Sequence, residues 1–274
     1  MTAQNTDGNY MLVLQDRVFY RGLLGNRMKA RRLGGASIYL APAGAFRLKL
    51  GGGDWTRRDI ALVPPYQAHQ VASDCGNVIS VLIEPDRLEP GELPRLVAEL
   101  EEAGRRSKLL QRLRAAAARL RQMAPDSGIS TETFDRIVLG RALAARQIDP
   151  RIAVALEAFE EAALENPSLA ADLARDIGLS ASRFLHLFKE QTGVSFRNYR
   201  MWRRARSFLL HANHSGSLTD VALSLGYPDS SHFSHSIRKT YGLQPRAIRI
   251  GSQNLRVDRM PQSAGGQVTT GQCA

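Results

Sequence analysis

The chain has 274 residues, 43% of them hydrophobic, and a formal net charge of +11. This length allows about two domains of about 100–150 residues each, and the positive charge favours a polyanionic partner, nucleic acid before an anionic membrane. Because the sequence shows no apolar run long enough for a membrane span, no secretory signal in residues 1–10 and no cysteine framework, we expect a cytoplasmic protein.

Residues 1–90 are predicted to form a β domain, because short runs of β-branched, aromatic and aliphatic residues alternate with glycine and proline turn signals. Strands of this number and spacing are typical of a small sandwich or barrel. The predicted strands are Met11–Leu14, Arg17–Tyr20, Ser37–Ala41, Phe46–Leu50, Ile60–Pro64 and Val78–Glu84.

A basic segment, Arg27 to Arg32, lies between the second and third predicted strands. On an extended chain Arg27, Lys29 and Arg31 share one side within about 13 Å. With Arg32 they form a seat for a phosphorylated effector that is held by bidentate arginine contacts. Two alternatives remain open, namely a solvated edge strand whose charges prevent aggregation and a contact to DNA.

Arg27 and Arg31 also satisfy an Arg-x-x-x-Arg pattern that is similar to the arginine half of PilZ-type cyclic di-GMP binders. The companion Asp/Asn-x-Ser-x-x-Gly motif has no clean match in the residues that follow. The resemblance implies cyclic di-GMP as the preferred effector.

Residues 91–149 are predicted to be helical and to serve dimerisation and linkage. The stretch Pro94–Met123 is rich in the best helix formers, with apolar residues mostly on one face and arginines on the other. Such a helix either covers the open face of the β domain or pairs with its copy in a homodimer, and both can hold. A second helical stretch, Thr131–Arg146, precedes the boundary at Pro150.

Residues 150–250 contain the same helix–glycine–helix unit twice. Residues 172–174 (Asp-Leu-Ala) lead to Gly178 in the first copy, and residues 220–222 (Asp-Val-Ala) lead to Gly226 in the second. Each copy continues into a short helix with aromatic, histidine and basic residues. A repeated unit of this kind is how a protein reads two stretches of DNA groove at once.

The two units are predicted to place polar faces outward. Leu169–Asp176 supports the recognition helix Ala181–Gln191, and Leu218–Leu225 supports the recognition helix Ser230–Tyr241. Aromatic and aliphatic residues at helical spacing point inward in both. The residues predicted to face DNA are Ser182, Arg183, His186 and Lys189 in the first helix, and Ser231, His232, His235, Arg238 and Lys239 in the second.

Between the units, Phe196–Asn213 is predicted to be one helix about 27 Å long. Such a spacer sets two recognition helices near one DNA turn apart, about 34 Å. Because it carries arginines but no acidic i,i+4 partners, phosphate contact is predicted, with an ordinary solvated face as the alternative. The arginines are Arg197, Arg200, Arg203, Arg204 and Arg206.

Residues 150–250 resemble the DNA-binding domain of the AraC/XylS regulators. The resemblance rests among others on residues 180–189 (Ser-Ala-Ser-Arg-Phe-Leu-His-Leu-Phe-Lys), residues 193–196 (Gly-Val-Ser-Phe) and residues 241–245 (Tyr-Gly-Leu-Gln-Pro). It implies base contacts from both recognition helices, with Arg183 able to reach guanine. It further implies a small-molecule effector, contact with RNA polymerase and activation of transcription.

The same resemblance implies a cupin-like sensor barrel in residues 1–90, which gives an α+β fold with a helical linker and an all-α double helix–turn–helix domain. A metal-binding cupin needs several histidines and a carboxylate, whereas residues 1–90 contain one histidine, His69. We therefore predict no metal, no cofactor and no catalytic residue, with His69 structural or pocket-lining. Residues 251–274 are predicted to be a disordered tail.

Three alternatives stay open. The same regulator can respond to a non-phosphorylated metabolite in the barrel. A cupin-type enzyme can be fused to a DNA-binding domain. A non-specific architectural DNA binder predicts that Arg183→Ala weakens binding to all sequences equally.

Overall fold

The computed structural model describes residues 9–23, 28–123, 128–162, 166–213 and 216–259. Within these ranges a strand-rich part precedes a helical part, which confirms the predicted α+β fold class. None of the helices in these ranges is long and apolar enough to cross a membrane. The strands are β1 (Tyr10–Val13), β2 (Arg17–Leu23), β3 (Ala36–Leu40), β4 (Phe46–Leu50), β5 (Trp55–Arg58), β6 (Ile60–Val63), β7 (His69–Ser73), β8 (Asn77–Ile83) and β9 (Arg256–Arg259). The helices are α1 (Glu92–Glu101), α2 (Ala103–Gln122), α3 (Thr131–Val138), α4 (Pro150–Glu161), α5 (Leu169–Asp176), α6 (Ala181–Thr192), α7 (Phe196–Ser207), α8 (Leu218–Ser224), α9 (Ser230–Tyr241) and α10 (Pro245–Gly251).

The strands form two sheets. A six-stranded sheet has the order β6-β3-β8-β2-β1-β9, and a three-stranded sheet has the order β5-β4-β7. Paired strands run antiparallel except β1 and β9, which are parallel. The six predicted strands are confirmed as β1 to β4, β6 and β8, whereas the sequence pattern does not predict β5, β7 and β9.

The six-stranded sheet is covered on both faces. Leu12, Phe19 and Ile38 on one face belong to a buried cluster with α1, α2 and α3. Met11 and Tyr39 on the other face belong to a second cluster that includes the three-stranded sheet and C-terminal helices. Burial of such apolar surface contributes about 25 cal/mol per Å², so packing on both faces of this sheet stabilises its contacts with α1 to α3 and with the C-terminal helices of the second cluster.

Helix α2 lies on the β domain through one face. Leu109, Leu113 and Leu120 are buried in the cluster on that side of the six-stranded sheet. The structure thus shows the first of the two roles predicted for the amphipathic helix. Pairing with a second copy stays a prediction.

The two helix–turn–helix units differ in what they pack against. The first unit has a buried cluster that includes Phe184 of α6 and Phe196 of the neighbouring α7. Residues of α4 and α5 complete this cluster. Trp202 and Phe233, from α7 and the second unit, share their cluster with Met11 and other residues of the β domain. The second unit therefore shares its core with the β domain, whereas the first has a core of its own.

The C-terminal tail is ordered in part. The sequence predicts disorder from residue 251 onwards, but Arg256–Arg259 form β9 beside β1, and the Arg256 guanidinium lies 5.7 Å from the centroid of the Tyr10 ring. The prediction is wrong for residues 251–259 because pairing with a distant strand supplies order that local composition does not reveal. The rest of the predicted tail, residues 260–274, lies outside the described residues.

Candidate nucleic-acid interface and interdomain cavity

The first helix–turn–helix consists of α5 and α6. Gly178 lies in the turn with a φ of +69°, a conformation that glycine adopts without steric cost. The Ser180 hydroxyl accepts a hydrogen bond from the Arg183 backbone N–H at 3.3 Å and so caps α6. Phe184 and Phe188 are fully buried. The inner face of α6 is therefore fixed by packing and by its cap.

The outer face of α6 carries the side chains that the sequence predicts to face DNA. Ser182, Arg183, His186 and Lys189 are all exposed. A helix held rigidly from behind, with donors and cations in solvent, has the form of a recognition helix that enters a major groove. The individual base contacts stay predictions.

The second helix–turn–helix, α8 and α9, repeats this construction. Gly226 has a φ of +74°, and the Asp229 carboxylate accepts hydrogen bonds from the backbone N–H groups of Ser231 and His232, each at 2.8 Å. These bonds, the backbone N–H of His232 first, hold the pKa of Asp229 below its usual range. Phe233 is buried.

The outer face of α9 is likewise open to solvent. Ser231, His235, Arg238 and Lys239 are exposed. His232 is exposed as well, but its Nδ1 lies 2.8 Å from Asp229 Oδ2. One ring nitrogen of His232 is thus used by the helix cap, and the other nitrogen is left for a base or phosphate.

The helix between the units is shorter than the predicted Phe196–Asn213. Helix α7 ends at Ser207, and a 3₁₀ turn, Phe208–His211, follows it. Arg200 and Arg204 are half-buried, and the Arg204 guanidinium lies 5.6 Å from the centroid of the Tyr227 ring. Phosphate contact by these two arginines stays a prediction.

The position of Arg203 contradicts the prediction that this residue contacts phosphate. The same holds for Arg206. Both are buried. Arg203 pairs with Glu84 at 2.9 Å and also with Glu160, and Arg206 donates to the carbonyl of Leu14. The prediction fails because it considers acidic partners on the same helix only, whereas these partners come from other elements.

Glu84, directly after β8, is the centre of this interdomain contact. It is fully buried, and its carboxylate accepts hydrogen bonds from Trp202 Nε1 at 3.0 Å and from Arg203 Nη1 at 2.9 Å. Arg206 Nε lies 2.9 Å from Glu84 Oε1, the oxygen that also accepts from Trp202. Burial acts to raise the pKa of Glu84, but the guanidinium groups of Arg206 and Arg203 outweigh burial and lower it. We call these four residues the Glu84 cluster.

A cavity of about 310 Å³ lies between the β domain and the second helix–turn–helix. Its wall on the β domain includes Met11 and Tyr39, and its other wall includes Tyr241 of α9 and Ile248 of α10. Arg31 is the one charged residue among the described residues that line it. An apolar cavity with few polar groups is typical of a small-molecule site.

A buried polar network holds Arg31. Arg31 Nε and the Tyr39 hydroxyl lie 3.2 Å and 3.0 Å from His69 Nε2, and His69 Nδ1 donates to the Gln67 carbonyl at 2.8 Å. This arrangement needs a neutral imidazole. In agreement, burial first and the charge of Arg31 second lower the pKa of His69 to about 4. His69 is thus a structural support, in line with its predicted role.

Two polar atoms of the cavity lining have no hydrogen-bond partner in the described part of the chain. They are Arg31 Nη2 and Ser37 Oγ, and both are buried. A buried donor without a partner costs about 1–3 kcal/mol. An anionic group bound in the cavity would supply the missing acceptor.

The described cations of the basic segment do not share one environment, and the predicted four-cation seat stays a prediction. Arg31 is buried, whereas Lys29 and Arg32 are exposed, and Arg27 lies outside the described residues. Residues 28–35 form one isolated bridge, Arg31 to His69, instead of a strand. The backbone N–H groups of Lys29 and Arg32 donate to the carbonyls of Gly242 and Thr240 at the end of α9, so this segment lies against the second helix–turn–helix.

Sequence reasoning misses Glu84, Arg206, Tyr39 and Ser37 as parts of these sites. No local motif marks them, because their partners lie far away in the chain. Among the described residues, no group of three His, Cys, Asp or Glu side chains is placed to hold a metal ion.

The paired units, with buried backs and exposed polar fronts, define a helix–turn–helix DNA-binding domain. In agreement, residues 173–250 match the family described as a helix-turn-helix domain. The chain is 32% identical over 114 residues to the HTH-type transcriptional regulator ExsA of Pseudomonas aeruginosa, across 40% of each chain. It is 30% identical over 155 residues to the HTH-type transcriptional activator RhaS of Escherichia fergusonii, across 52% of this chain and 55% of RhaS. The C-terminal domain is therefore an AraC-type double helix–turn–helix domain, as the resemblance implies.

The matched regions span about half or less of the length of these relatives. Over a longer stretch the fold is similar to that of ToxT from Vibrio cholerae O395, with a TM-score of 0.52, 13% identity, and coverage of 85% of this chain and 96% of ToxT. At this identity the likeness concerns the fold alone. It agrees with the observed order of sheets first and double helix–turn–helix last.

Proposed function

We propose that this protein is a sequence-specific DNA-binding transcriptional regulator. The observation that carries the proposal is the repeated recognition helix, α6 and α9, each fixed from behind and exposed in front within an AraC-type domain. Two such helices on one chain read two segments of major groove. Homodimer formation, contact with RNA polymerase and activation of transcription in the cytoplasm belong to the proposal through the family resemblance.

The test is selection of bound duplexes from a random pool, followed by sequencing. We expect enrichment of a site with two conserved segments about one helical turn, 34–36 Å, apart. An Arg183→Ala/Arg238→Ala variant should change the enriched site. Failure of the wild type to enrich any sequence would contradict the proposal.

We further propose that the interdomain cavity binds the effector, a small ligand with an apolar body and one anionic group. The apolar walls and Arg31, whose Nη2 has no partner in the described part of the chain, support this ligand class. A ToxT structure with a TM-score of 0.51 contains (E)-4-(8-methylnaphthalen-1-yl)but-3-enoic acid, which has this composition. Because α9 and α10 form one wall, an occupant would shift the second recognition helix relative to the β domain.

Cyclic di-GMP stays a prediction from the Arg-x-x-x-Arg pattern. Its two phosphates fit a cluster of cations better than they fit the cavity, where Arg31 is the charged residue among those described. Calorimetric titration with cyclic di-GMP and with an arylbutenoic acid separates the two ligands. We expect the acid to bind wild type and Arg32→Gln but not Arg31→Gln, whereas binding of cyclic di-GMP that both variants lose would favour the phosphorylated effector.

A further inference from the structure

The outer face of the three-stranded sheet is basic. Arg47 on β4 lies opposite Arg57 on β5, and Lys49 lies opposite Trp55. Arg47, Trp55 and Arg57 are exposed and Lys49 is half-buried. On the opposite face of β4, Phe46 and Leu48 are buried in the core, so that face of the sheet is the one that stabilises the fold. We call Arg47, Lys49, Trp55 and Arg57 the basic sheet face.

Ion pairs neutralise little of the positive charge on this face. Like charges directly opposite each other in an antiparallel pair destabilise a sheet by some tenths of a kcal/mol. Arg47 has one acidic contact, Asp74 at 3.6 Å, with both side chains more than half exposed, and such exposed pairs contribute little. In the described part of the chain Arg57 has no ion-pair partner. The face therefore keeps positive charge that is available to an anion.

This face is continuous with the second recognition helix. Gln70, on the neighbouring strand β7, donates from Nε2 to the Met28 carbonyl at 3.3 Å. The next residue, Lys29, donates its backbone N–H to the Gly242 carbonyl at 2.9 Å, and Arg32 donates to Thr240 at 3.1 Å. The exposed cations Lys239, Arg32 and Lys29 thus lie along the contact that joins α9 to the basic sheet face.

We propose that the basic sheet face, with Lys29 and Arg32, binds the phosphate backbone of the DNA that flanks the segment read by α9. This inference rests on the proposed DNA-binding function and extends it to the β domain. Alternate residues on a strand lie about 7 Å apart, so Arg47 and Lys49 can contact successive positions along a strand of phosphates. Continuity with α9 favours DNA over an acidic protein segment, because a duplex bound to α9 extends past the end of that helix.

The experiment measures binding to two duplexes that carry the selected site. The short duplex ends at the site, and the long duplex extends by about one helical turn on either side. Affinity is measured at several salt concentrations for wild type and for Arg47→Ala/Arg57→Ala. The matched control is Lys108→Ala/Arg119→Ala, which removes two exposed cations from α2.

On the long duplex we expect the Arg47→Ala/Arg57→Ala variant to bind roughly tenfold more weakly at low salt, with a salt slope that is less steep by about 2, since each phosphate contact contributes about 0.9. On the short duplex it should equal wild type, and the control should equal wild type on both. Equal affinity and slope on the long duplex would overturn the proposal while leaving the proposed function intact. Absence of wild-type binding to both duplexes would overturn the two together.

Discussion

Arg203 and Arg206 show how a single residue acquires its role from a distant partner. Both lie on an arginine-rich helix with no acidic residue of its own. The sequence pattern does not distinguish them from Arg197 on the same helix, which is exposed. Glu84, which lies 119 positions from Arg203, draws them into the interior. Their charges thus join domains, and the charges of Arg183 and Lys189 stay available for DNA.

Replacement of Glu84 tests the Glu84 cluster. Glu84→Gln leaves Arg203 and Arg206 buried without their shared carboxylate, and removal of one member of a buried ion pair costs about 3–5 kcal/mol. We expect a loss of this size in the free energy of unfolding, measured by urea titration. Glu101→Gln, at an exposed position of α1, is the control and should stay within about 0.5 kcal/mol of wild type. An equal result for both variants would contradict the assigned role of Glu84.

Asp86 and His69 predict opposite dependences of stability on pH. Burial first and Glu84 second raise the pKa of Asp86 from 3.8 to about 7, so the folded state holds a proton that the unfolded state has lost. Stability from Asp86 therefore falls as pH rises from about 4 to about 7. The pKa of His69 is lowered from 6.5 to about 4, so its contribution rises as pH rises through that range.

The measurement is the free energy of unfolding at several pH values for wild type, Asp86→Asn and His69→Gln. In Asp86→Asn the free energy of unfolding should rise with pH between about pH 4 and 6.5, because His69 remains. In His69→Gln it should fall with pH over this range, because Asp86 remains. Each unit of pKa shift corresponds to about 1.4 kcal/mol. Profiles with the same slope in all three proteins would show that neither group titrates as assigned.

At the scale of elements, α7 depends on a close approach to the β domain. A Cβ on Gly34 would lie 2.3 Å from Trp202 Cγ, a separation that does not allow both groups to keep their positions. Gly34 thus lets the Trp202 indole reach the backbone and donate to Glu84. The helix that spaces the two recognition helices is in this way packed against the β domain.

Gly34→Ala should unseat α7 in part. We expect a loss of about 1–3 kcal/mol, the usual cost of overpacking, and a red shift of Trp202 fluorescence as the indole meets water. A Trp55→Phe background isolates the Trp202 signal, since the chain has two tryptophans. Gly52→Ala is the control because nothing lies within 4 Å of a Cβ added there. A Trp202 spectrum unchanged by Gly34→Ala would contradict this account of the contact.

Some elements could be predicted from the sequence and others could not. Both helix–turn–helix units are predicted with nearly their observed bounds, because caps, turn glycines and apolar spacing are local signals. β5 is missed because Trp55–Arg58 is exposed throughout and lacks an apolar period. β9 depends on pairing with β1, and the cavity depends on elements from both ends of the chain. Such long-range features have no signature within a short window.

Across the whole molecule, the two helix–turn–helix units are joined to the β domain in different ways. Arg146, in the segment that joins the domains, donates to the carbonyls of Leu88 at 3.0 Å and Gln191 at 2.7 Å, and the latter lies on α6. The second unit forms one wall of the cavity, and the end of α9 accepts backbone hydrogen bonds from residues 29 and 32. A ligand bound between the sheet and α9, as proposed above, would act on the unit that shares its core with the β domain.

Replacement of Arg183 tests whether the two recognition helices read the DNA sequence. The measurement is the affinity of wild type, Arg183→Ala and Lys189→Ala for the selected site and for every single-base change in it. We predict that Arg183→Ala loses about 1–3 kcal/mol of discrimination at one position, whereas Lys189→Ala weakens binding to all sequences alike. If Arg183→Ala also weakens all sequences equally, the protein binds DNA without reading it through α6, and the account is wrong.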